Sequence, residues 1–322
     1  YRTTNGQGNF PVSFGALQFN SIDAASGGSV PTGSSQIAFS DFYGTKLHTI
    51  VNFYSGSTEN REVAKDKYNS GDPNKVQTVG NYTSPPSDSS GTKVHIHVNK
   101  TIGSEKTRVE HCALRTGSWD SSTTLQVDVG GSGRISGAGG NGGRGSVNSG
   151  SGFDGGDGTS GLGVQYSPTT VTVASGGFIQ AGFAGGGGGG GGFDTDKEAD
   201  RTASGGGGGG GAGVPAGDGG QEGSGGTEGG PGSAGNINDG GSGGGGSNND
   251  GEAFGGAGGA GGDRAGSAGE GADGTGGEGS RSSGGDPGNP GAAIRRNSGF
   301  TVNIDGTSLS RIHGDKTATG VL

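Results

Sequence analysis

The sequence predicts an all-β N-terminal part followed by a polyglycine-II helix bundle, with essentially no α-helix. Three observations support this prediction. Glycine makes up 86 of the 322 residues and hydrophobic residues only 25%, so a large apolar core is excluded. Of these glycines, 51 lie between residues 181 and 291 and only 13 in the first 129. Apolar and polar residues alternate with a period of two before the glycine-rich part and again after it.

The first two predicted regions precede the glycine-rich part. Residues 1–44 are short runs separated by turn residues, and we predict that they form a leader segment that attaches the protein to a partner. Residues 45–129 are predicted to form a β domain, since alternation with a period of two recurs in LHTIVNFY, KVHIHVNKTI and TTLQVDV. Such alternation is typical of antiparallel sheets with one solvated face.

Residues 130–322 are predicted to form the glycine-rich bundle, with variable loops and a closing strand module. Its longest tracts are 185–192 and 205–213, which are uninterrupted glycine except for Ala212. Flexible linkers have a similar composition, but here the tracts recur and the chain returns to the strand-like FTVNIDGTSLSRIHG. The tracts therefore lie inside a fold. Polyglycine can form an extended helix with about three residues per turn, whose N–H and C=O groups point to neighbouring helices.

Charge and motifs exclude several functions. The net charge is -9 and no basic patch is present, which disfavours nucleic acid as a partner. No apolar run approaches the ~18 residues of a membrane span, so no membrane insertion is predicted. Cys112 is the single cysteine, which excludes an internal disulfide. No motif for nucleophilic catalysis or phosphate binding occurs, and we predict that the protein is not an enzyme and needs no cofactor.

Two inserts between glycine tracts are candidate recognition loops. The insert 193–204 is the dense charged stretch between the two uninterrupted tracts and begins with an aromatic residue. The insert 248–254 has a similar makeup. Loops on a rigid scaffold commonly carry binding residues. The predicted receptor-binding residues are Phe193, Asp194, Asp196, Lys197, Glu198, Asp200, Arg201, Asn248, Asn249, Asp250, Glu252 and Phe254.

Metal binding has two candidate motifs, and neither leads us to predict a metal site. FDTDKEADR has alternating acidic residues, but Ala199 and Gly205 replace the Gly and Glu that a calcium loop needs. His95 and His97 project from one face of a strand. Such a pair can bind a transition metal, but we favour the interpretation that it belongs to the polar outer face of a β domain.

Four stretches resemble glycine-rich virion proteins of tailed bacteriophages, including the distal tail-fibre adhesins of T-even-like phages. They are the leader FPVSFGALQFNSI followed by SSQIAFSDFYG, residues 100–145 (KTIGSEK to GGRG), TVTVASGGFIQAGFAGGGGGGGG and GGDPGNPGAAIRRNSGFTVNIDGTSLSRIHG. In those adhesins, glycine-rich motifs form a packed sandwich of polyglycine helices, and variable inserts form distal loops that contact the host. The resemblance implies that tracts 185–192 and 205–213 belong to the scaffold and that 193–204 is a tip loop.

The resemblance implies an extracellular virion protein that recognises the host cell surface. Its expected partners are a bacterial surface receptor, either protein or glycan, and other virion proteins bound through the N-terminal segment. A homo-oligomer is also possible. The alternative is a purely structural virion protein, such as a capsid, collar or tail decoration or a fibre subunit, that makes no receptor contact. Its position on the virion stays open at this point.

Overall fold

The computed structural model describes residues 22–23, 46–53, 61–62, 77–78 and 93–321, except for 120, 122, 196–199 and 277–280; side chains are described from Val94 onward, other than that of Asp200. Regular structure in these residues is almost entirely β, with one 3₁₀ helix at Gly306–Arg311. The prediction of an all-β, helix-poor chain is therefore confirmed. No helix of the described residues has the length and apolar character to cross a membrane. Apart from Ile22–Asp23, the predicted leader segment lies outside the described residues.

Three sheets make up most of the β structure. The first holds, in spatial order, β1 (Ile22–Asp23), β2 (Lys46–Phe53), β5 (Lys93–Val98), β8 (Thr124–Val129), β11 (Thr169–Val173) and β19 (Val302–Ile304), with β4 (Gln77–Thr78) also on β2. The second holds β21 (Ala318–Thr319), β18 (Ile294–Arg296), β10 (Ser160–Val164), β7 (Cys112–Arg115) and β3 (Arg61–Glu62). The third holds β20 (Ile312–His313), β12 (Phe178–Gln180), β9 (Arg134–Ser136) and β6 (Thr101–Ile102).

The chain visits these three sheets in a repeating order. Strands β7, β8 and β9 form one circuit, β10, β11 and β12 the next, and β18, β19 and β20 another. Equivalent strands of successive circuits pair in parallel. The circuits therefore stack as in a parallel β-helix. Their inward side chains form the apolar core, which includes Ile96, Leu114, Leu125, Ile135 and Leu162.

The prediction of an antiparallel sheet in residues 45–129 is wrong for most of these strands. β2 pairs with β5 and β5 with β8 in parallel, and only β1 and β4 pair antiparallel with β2. Alternation reports that one face of a strand is buried and the other solvated. A stack of circuits also has an apolar inside and a polar outside, so the same alternation arises without hairpins.

The β structure continues beyond the predicted boundary at residue 130. Strands β10 and β11 pair with strands before residue 130. Strands β18, β19 and β20 pair in turn with β10, β11 and β12. Most of the glycine-rich chain enters between β9 and β10 and between β12 and β18. Both insertions leave from the third sheet and return to the second, so both occur at the same corner of the stack.

The inserted chain runs as extended segments that lie side by side. These segments are 137–148, 150–159, 182–191, 205–214, 217–224, 229–236, 240–247, 255–262, 269–274 and 282–291. Their backbone hydrogen bonds repeat every third residue. For example, Gly185 and Gly188 donate to Gly156 and Phe153, whereas Gly186 and Gly189 donate to Gly209 and Gly206. Consecutive residues therefore bond in different directions around each segment, unlike the residues of a β-strand, which bond within one plane.

Two segments, 182–191 and 205–214, occupy the middle of this bundle. Backbone groups of the first bond to six neighbours, which are 137–148, 150–159, 205–214, 255–262, 269–274 and 282–291. Those of the second bond to 137–148, 182–191, 217–224, 229–236, 240–247 and 255–262. Both uninterrupted glycine tracts are buried along their length. The two segments therefore sit at adjacent centres of a hexagonal arrangement.

Close approach of backbones explains why these segments contain so much glycine. A Cβ placed on Gly208 would lie 2.1 Å from the carbonyl oxygen of Gly186, and one on Gly189 would lie 1.9 Å from that of Gly256. Neither distance is compatible with a carbon atom. In the outer segment 217–224, only every third residue faces the centre, and those are Gly217, Gly220 and Gly223.

Side chains of the third sheet attach the bundle to the β structure. Arg264, which follows segment 255–262, stacks its guanidinium 3.8 Å from the ring centre of Phe178 on β12. Its Nε donates to Oε1 of buried Gln180 at 2.7 Å, and Nε2 of Gln180 donates to the carbonyl of Ile237 at 2.8 Å. Burial, and then the charge of Arg134, lower the pKa of Arg264. These contacts fix the position of the bundle relative to the third sheet.

Replacing Gly208 by Val should strongly destabilise the protein, since a side chain at this position meets backbone rather than a movable side chain. We expect a loss of at least about 3 kcal/mol, the upper end of ordinary overpacking, measured as the free energy of unfolding in denaturant. Gly245→Val is the matched control, because Gly245 is exposed and a Cβ there meets nothing within 4 Å. Equal stability of the two variants would contradict a close-packed bundle.

Cys112 on β7 should not react with thiol reagents in the folded protein. Its side chain is buried, and burial raises the pKa of the thiol to about 12 despite the charges of Arg295 and Arg115. The reactive thiolate is therefore scarce at pH 8. Iodoacetamide labelling followed by mass spectrometry should modify Cys112 only after unfolding. Rapid labelling of the native protein at pH 8 would contradict this burial.

Candidate functional site

The glycine-rich segments alternate in direction, so their connections fall at two opposite ends of the bundle. Segment 182–191 leaves the β structure after β12 and runs antiparallel to 205–214. The connection between them therefore lies at the end far from the β structure. We call this the distal end, and by the same reasoning it carries the connections 147–150, 192–203, 224–228, 248–254 and 275–281.

A β-hairpin lies at the centre of the distal end. Strands β13 (Gly192–Thr195) and β14 (Asp200–Ala203) pair antiparallel, with Phe193 opposite Thr202 and Asp194 opposite Arg201. The strands extend the two central glycine segments, so the hairpin emerges from the most buried part of the bundle. Of the predicted site residues, Asp196, Lys197 and Glu198 lie outside the described residues, and Asp200 is described by its backbone only.

A second set of strands lies beside this hairpin. β15 (Asn248–Asn249) pairs with β16 (Ala253–Phe254), which pairs with β17 (Thr275–Gly276). The turn between β15 and β16 holds Asp250 at φ 54° and Gly251 at φ 80°, and the side-chain oxygen of Asn248 accepts from the Gly251 N–H at 2.9 Å. This turn projects the exposed side chains of Asn248 and Asp250.

Polar contacts join the two predicted inserts to each other. Arg201 forms an ion pair with Glu252, and Nδ2 of Asn249 donates to the carbonyl of Thr202 at 3.0 Å. The N–H of Ser247 donates to the carbonyl of Ser204 at 3.1 Å. The structure thus brings together the two stretches that the sequence singled out.

The other distal connections attach to the same hairpin. Ala203 bridges to Thr227, Gly192 bridges to Arg281, and Oγ of Ser204 donates to the carbonyl of Gly225 at 2.6 Å. The fifth connection, 147–150, is tied in through the N–H of Asn148, which donates to the carbonyl of Ser224 at 3.2 Å. The distal loops therefore form one continuous surface.

Burial distinguishes the predicted residues from one another. Phe254 is exposed (39%), whereas Phe193, Arg201, Asn249 and Glu252 are half-buried. Asp194 is buried, although its place among the predicted receptor-binding residues implies an exposed side chain. It shares with Gly192 the buried face of β13.

Sequence reasoning missed two apolar side chains near this surface. Val147 is exposed in the connection 147–150, and Phe153 is exposed about one turn along the next segment. Among the described residues, the exposed large apolar side chains are those of Val147, Phe153, Phe254 and Leu309. The stretch SVNSGSGFD interrupts the glycine pattern with an aromatic residue, as the two predicted inserts do. The same criterion applied to shorter interruptions would have found them.

Comparison with known proteins points to one family. Residues 58–317 match the family model of the phage tail fibre adhesin Gp38. A chain in the crystal structure of the gp37-gp38 adhesin tip complex of the bacteriophage S16 long tail fiber is similar at 18% identity, over 90% of this chain and 88% of that chain, with a TM-score of 0.33. No protein with a curated description gives a significant match.

The family match covers the described β structure from β3 to β20 and all of the glycine-rich segments. It confirms the resemblance predicted from the sequence and favours the adhesin over the purely structural alternative. This chain belongs to the Gp38 family of phage tail fibre adhesins and is an extracellular component of the virion that recognises the host cell.

Proposed function

We propose that this adhesin binds its bacterial receptor with the loops of the distal end. One observation carries the proposal: the five distal connections converge at one end of the bundle, where 224–228, 248–254 and 275–281 contact the hairpin 192–203 and 147–150 contacts 224–228. Binding energy in interfaces is concentrated in a few apolar and aromatic anchors surrounded by polar contacts. Phe254 and Val147 supply exposed apolar area at this end, and Asn248, which is opposite Phe254, and Asp250 supply polar groups.

We further propose that the bundle consists of polyglycine-II helices. The three-residue repeat of the backbone hydrogen bonds and the six neighbours of each central segment support this assignment. The glycines of the two uninterrupted tracts also have no positive φ, in keeping with a left-handed extended helix at φ near -75°. Such a scaffold holds the loops at fixed positions and leaves their sequences free to vary.

The remaining parts of the proposal concern the rest of the chain. We assign residues 1–44 to attachment to other virion proteins, because the adhesin family match begins only at residue 58. The predicted division of the chain after residues 44 and 129 stays a proposal. In this proposal, the β structure serves as the base that carries the bundle. The protein acts by binding alone, in keeping with its adhesin family, and no catalytic residue is assigned.

Replacing Phe254 by Ala should reduce host adsorption without unfolding the protein. Its side chain is exposed at the distal end, so its loss removes an anchor but little packing. We expect roughly tenfold weaker binding, as for a moderate hot spot, in an adsorption assay on host cells with purified protein as competitor. Phe193→Ala and Arg201→Ala should also weaken binding, the latter partly by freeing Glu252, which now pairs with Arg201.

Leu309→Ala is the matched control for these variants. Leu309 is also an exposed apolar residue (49%), but it lies in the 3₁₀ helix of the β structure. Its replacement should leave adsorption unchanged. If Leu309→Ala reduces adsorption as much as Phe254→Ala, or if neither has an effect, the receptor does not bind the distal end. Thermal unfolding of all four variants shows whether a loss of binding reflects a loss of fold.

A further inference from the structure

Three potential metal ligands converge on the solvent-facing side of the first sheet, away from the distal end. His95 and His97 lie on β5, and Asp128 lies on the neighbouring β8. Nδ1 of His95 is 3.5 Å and Nδ1 of His97 is 3.6 Å from the same Asp128 oxygen, Oδ2. One ligand atom from each residue lies within 4.8 Å of the others. The three side chains are 17%, 32% and 19% exposed, respectively, so solvent ions reach them.

The fold dictates this convergence. Val94, Ile96 and Val98 of β5 fill the core, which places both histidines on the opposite face. The imidazole ring centres are 5.6 Å apart. In the parallel register, His97 is directly opposite Asp128. The carboxylate therefore reaches both rings of the neighbouring strand.

Neighbouring side chains orient the carboxylate of Asp128. Nε2 of Gln126 donates to Oδ1 at 2.6 Å, and Oγ1 of Thr172 on β11 donates to the same oxygen. Both donors therefore hold one oxygen, while Oδ2 faces the two histidines. Hydrogen bonds of this kind are typical of metal sites, where outer partners fix the direction of the ligands.

The distances distinguish a shared ion from direct hydrogen bonding. A nitrogen 3.5 or 3.6 Å from an oxygen is beyond the usual hydrogen-bond distance of about 2.7–3.2 Å. Ligands about 2.1 Å from a zinc ion in tetrahedral geometry are separated by roughly 3.4 Å. The separations of both nitrogens from Oδ2 therefore fit ligands that share one ion.

We propose that His95, His97 and Asp128 bind a divalent transition-metal ion of the zinc type. Two imidazoles and one carboxylate form a common ligand set for such ions. A fourth position remains for water, on the side of a cleft of about 420 Å³ that His97, Asp128, Asn99 and Arg311 help to line. The ion links β5 to β8, the strand that leads through β9 into the first glycine-rich segment.

Metal titration of the untagged full-length chain tests this proposal. After treatment with a chelator, Co²⁺ should bind at one ion per chain and give the visible absorption of tetrahedral cobalt, and Zn²⁺ should displace it. Zn²⁺ should also raise the unfolding temperature, because an ion that binds only the folded state stabilises it. His97→Ala and Asp128→Asn should each weaken Zn²⁺ binding by more than about 100-fold, above the range seen for outer-shell changes.

His111→Ala is the matched control. Nδ1 of His111 lies 3.4 Å from Oε2 of Glu105, which provides a histidine and carboxylate pair outside the three-ligand cluster. This variant should keep the affinity of the unmodified chain. The proposal is overturned if the unmodified chain binds no Zn²⁺ or Co²⁺ beyond nonspecific levels, or if the triple variant at His95, His97 and Asp128 binds as tightly while remaining folded. The proposal is also overturned if His111→Ala loses Zn²⁺ binding while His97→Ala and Asp128→Asn retain it.

Discussion

Backbone hydrogen bonds between glycine-rich segments are the interaction on which the rest of this adhesin depends. An ordered glycine loses more conformational entropy than any other residue, of the order of 1–2 kcal/mol for its backbone. One hydrogen bond contributes a net amount of only about 0.5–1.5 kcal/mol. A single glycine-rich segment is therefore unstable by itself. Stability requires that residues both donate a hydrogen bond through the N–H and accept one through the C=O. The central segments meet this condition because they are surrounded by neighbours on all sides. Close contacts between Cα–H groups and carbonyl oxygens add to it.

The β structure gives the bundle its starting register. Both insertions leave the third sheet and return to the second at one corner of the stack. The ends of segments 137–148, 150–159, 182–191 and 282–291 are thereby held by strands whose apolar core is conventional. The stacked guanidinium of Arg264 on Phe178 and the buried amide of Gln180 then tie a later segment to the same base. Side-chain packing thus positions a bundle whose interior has almost no side chains.

Composition and periodicity predicted the β character, the order within the glycine-rich chain and the two inserts that meet at the distal end. They did not predict the pairing of the strands, because alternation is the same for a hairpin sheet and for stacked circuits. The partners Leu114, Leu162 and Ile294 lie on strands of three separate circuits, and nothing in these short strands specifies which one pairs with which. The position of Val147 and Phe153 near the distal end also depends on which distant parts of the chain pair with each other. The grouping of His95, His97 and Asp128 likewise depends on register, which a single strand does not reveal.

A scaffold made of glycine restricts where chemical variety can occur. In tracts 185–192 and 205–211, side chains are excluded by neighbouring carbonyl groups about 2 Å from each potential Cβ. Outer segments can carry side chains on residues that face away from the centre, as 217–224 does at Asp218, Gln221 and Glu222. In the proposed mode of binding, the loops start from segments fixed by many hydrogen bonds, which limits the flexibility that binding has to remove. Changes in loop sequence would then alter the binding surface without altering the bundle.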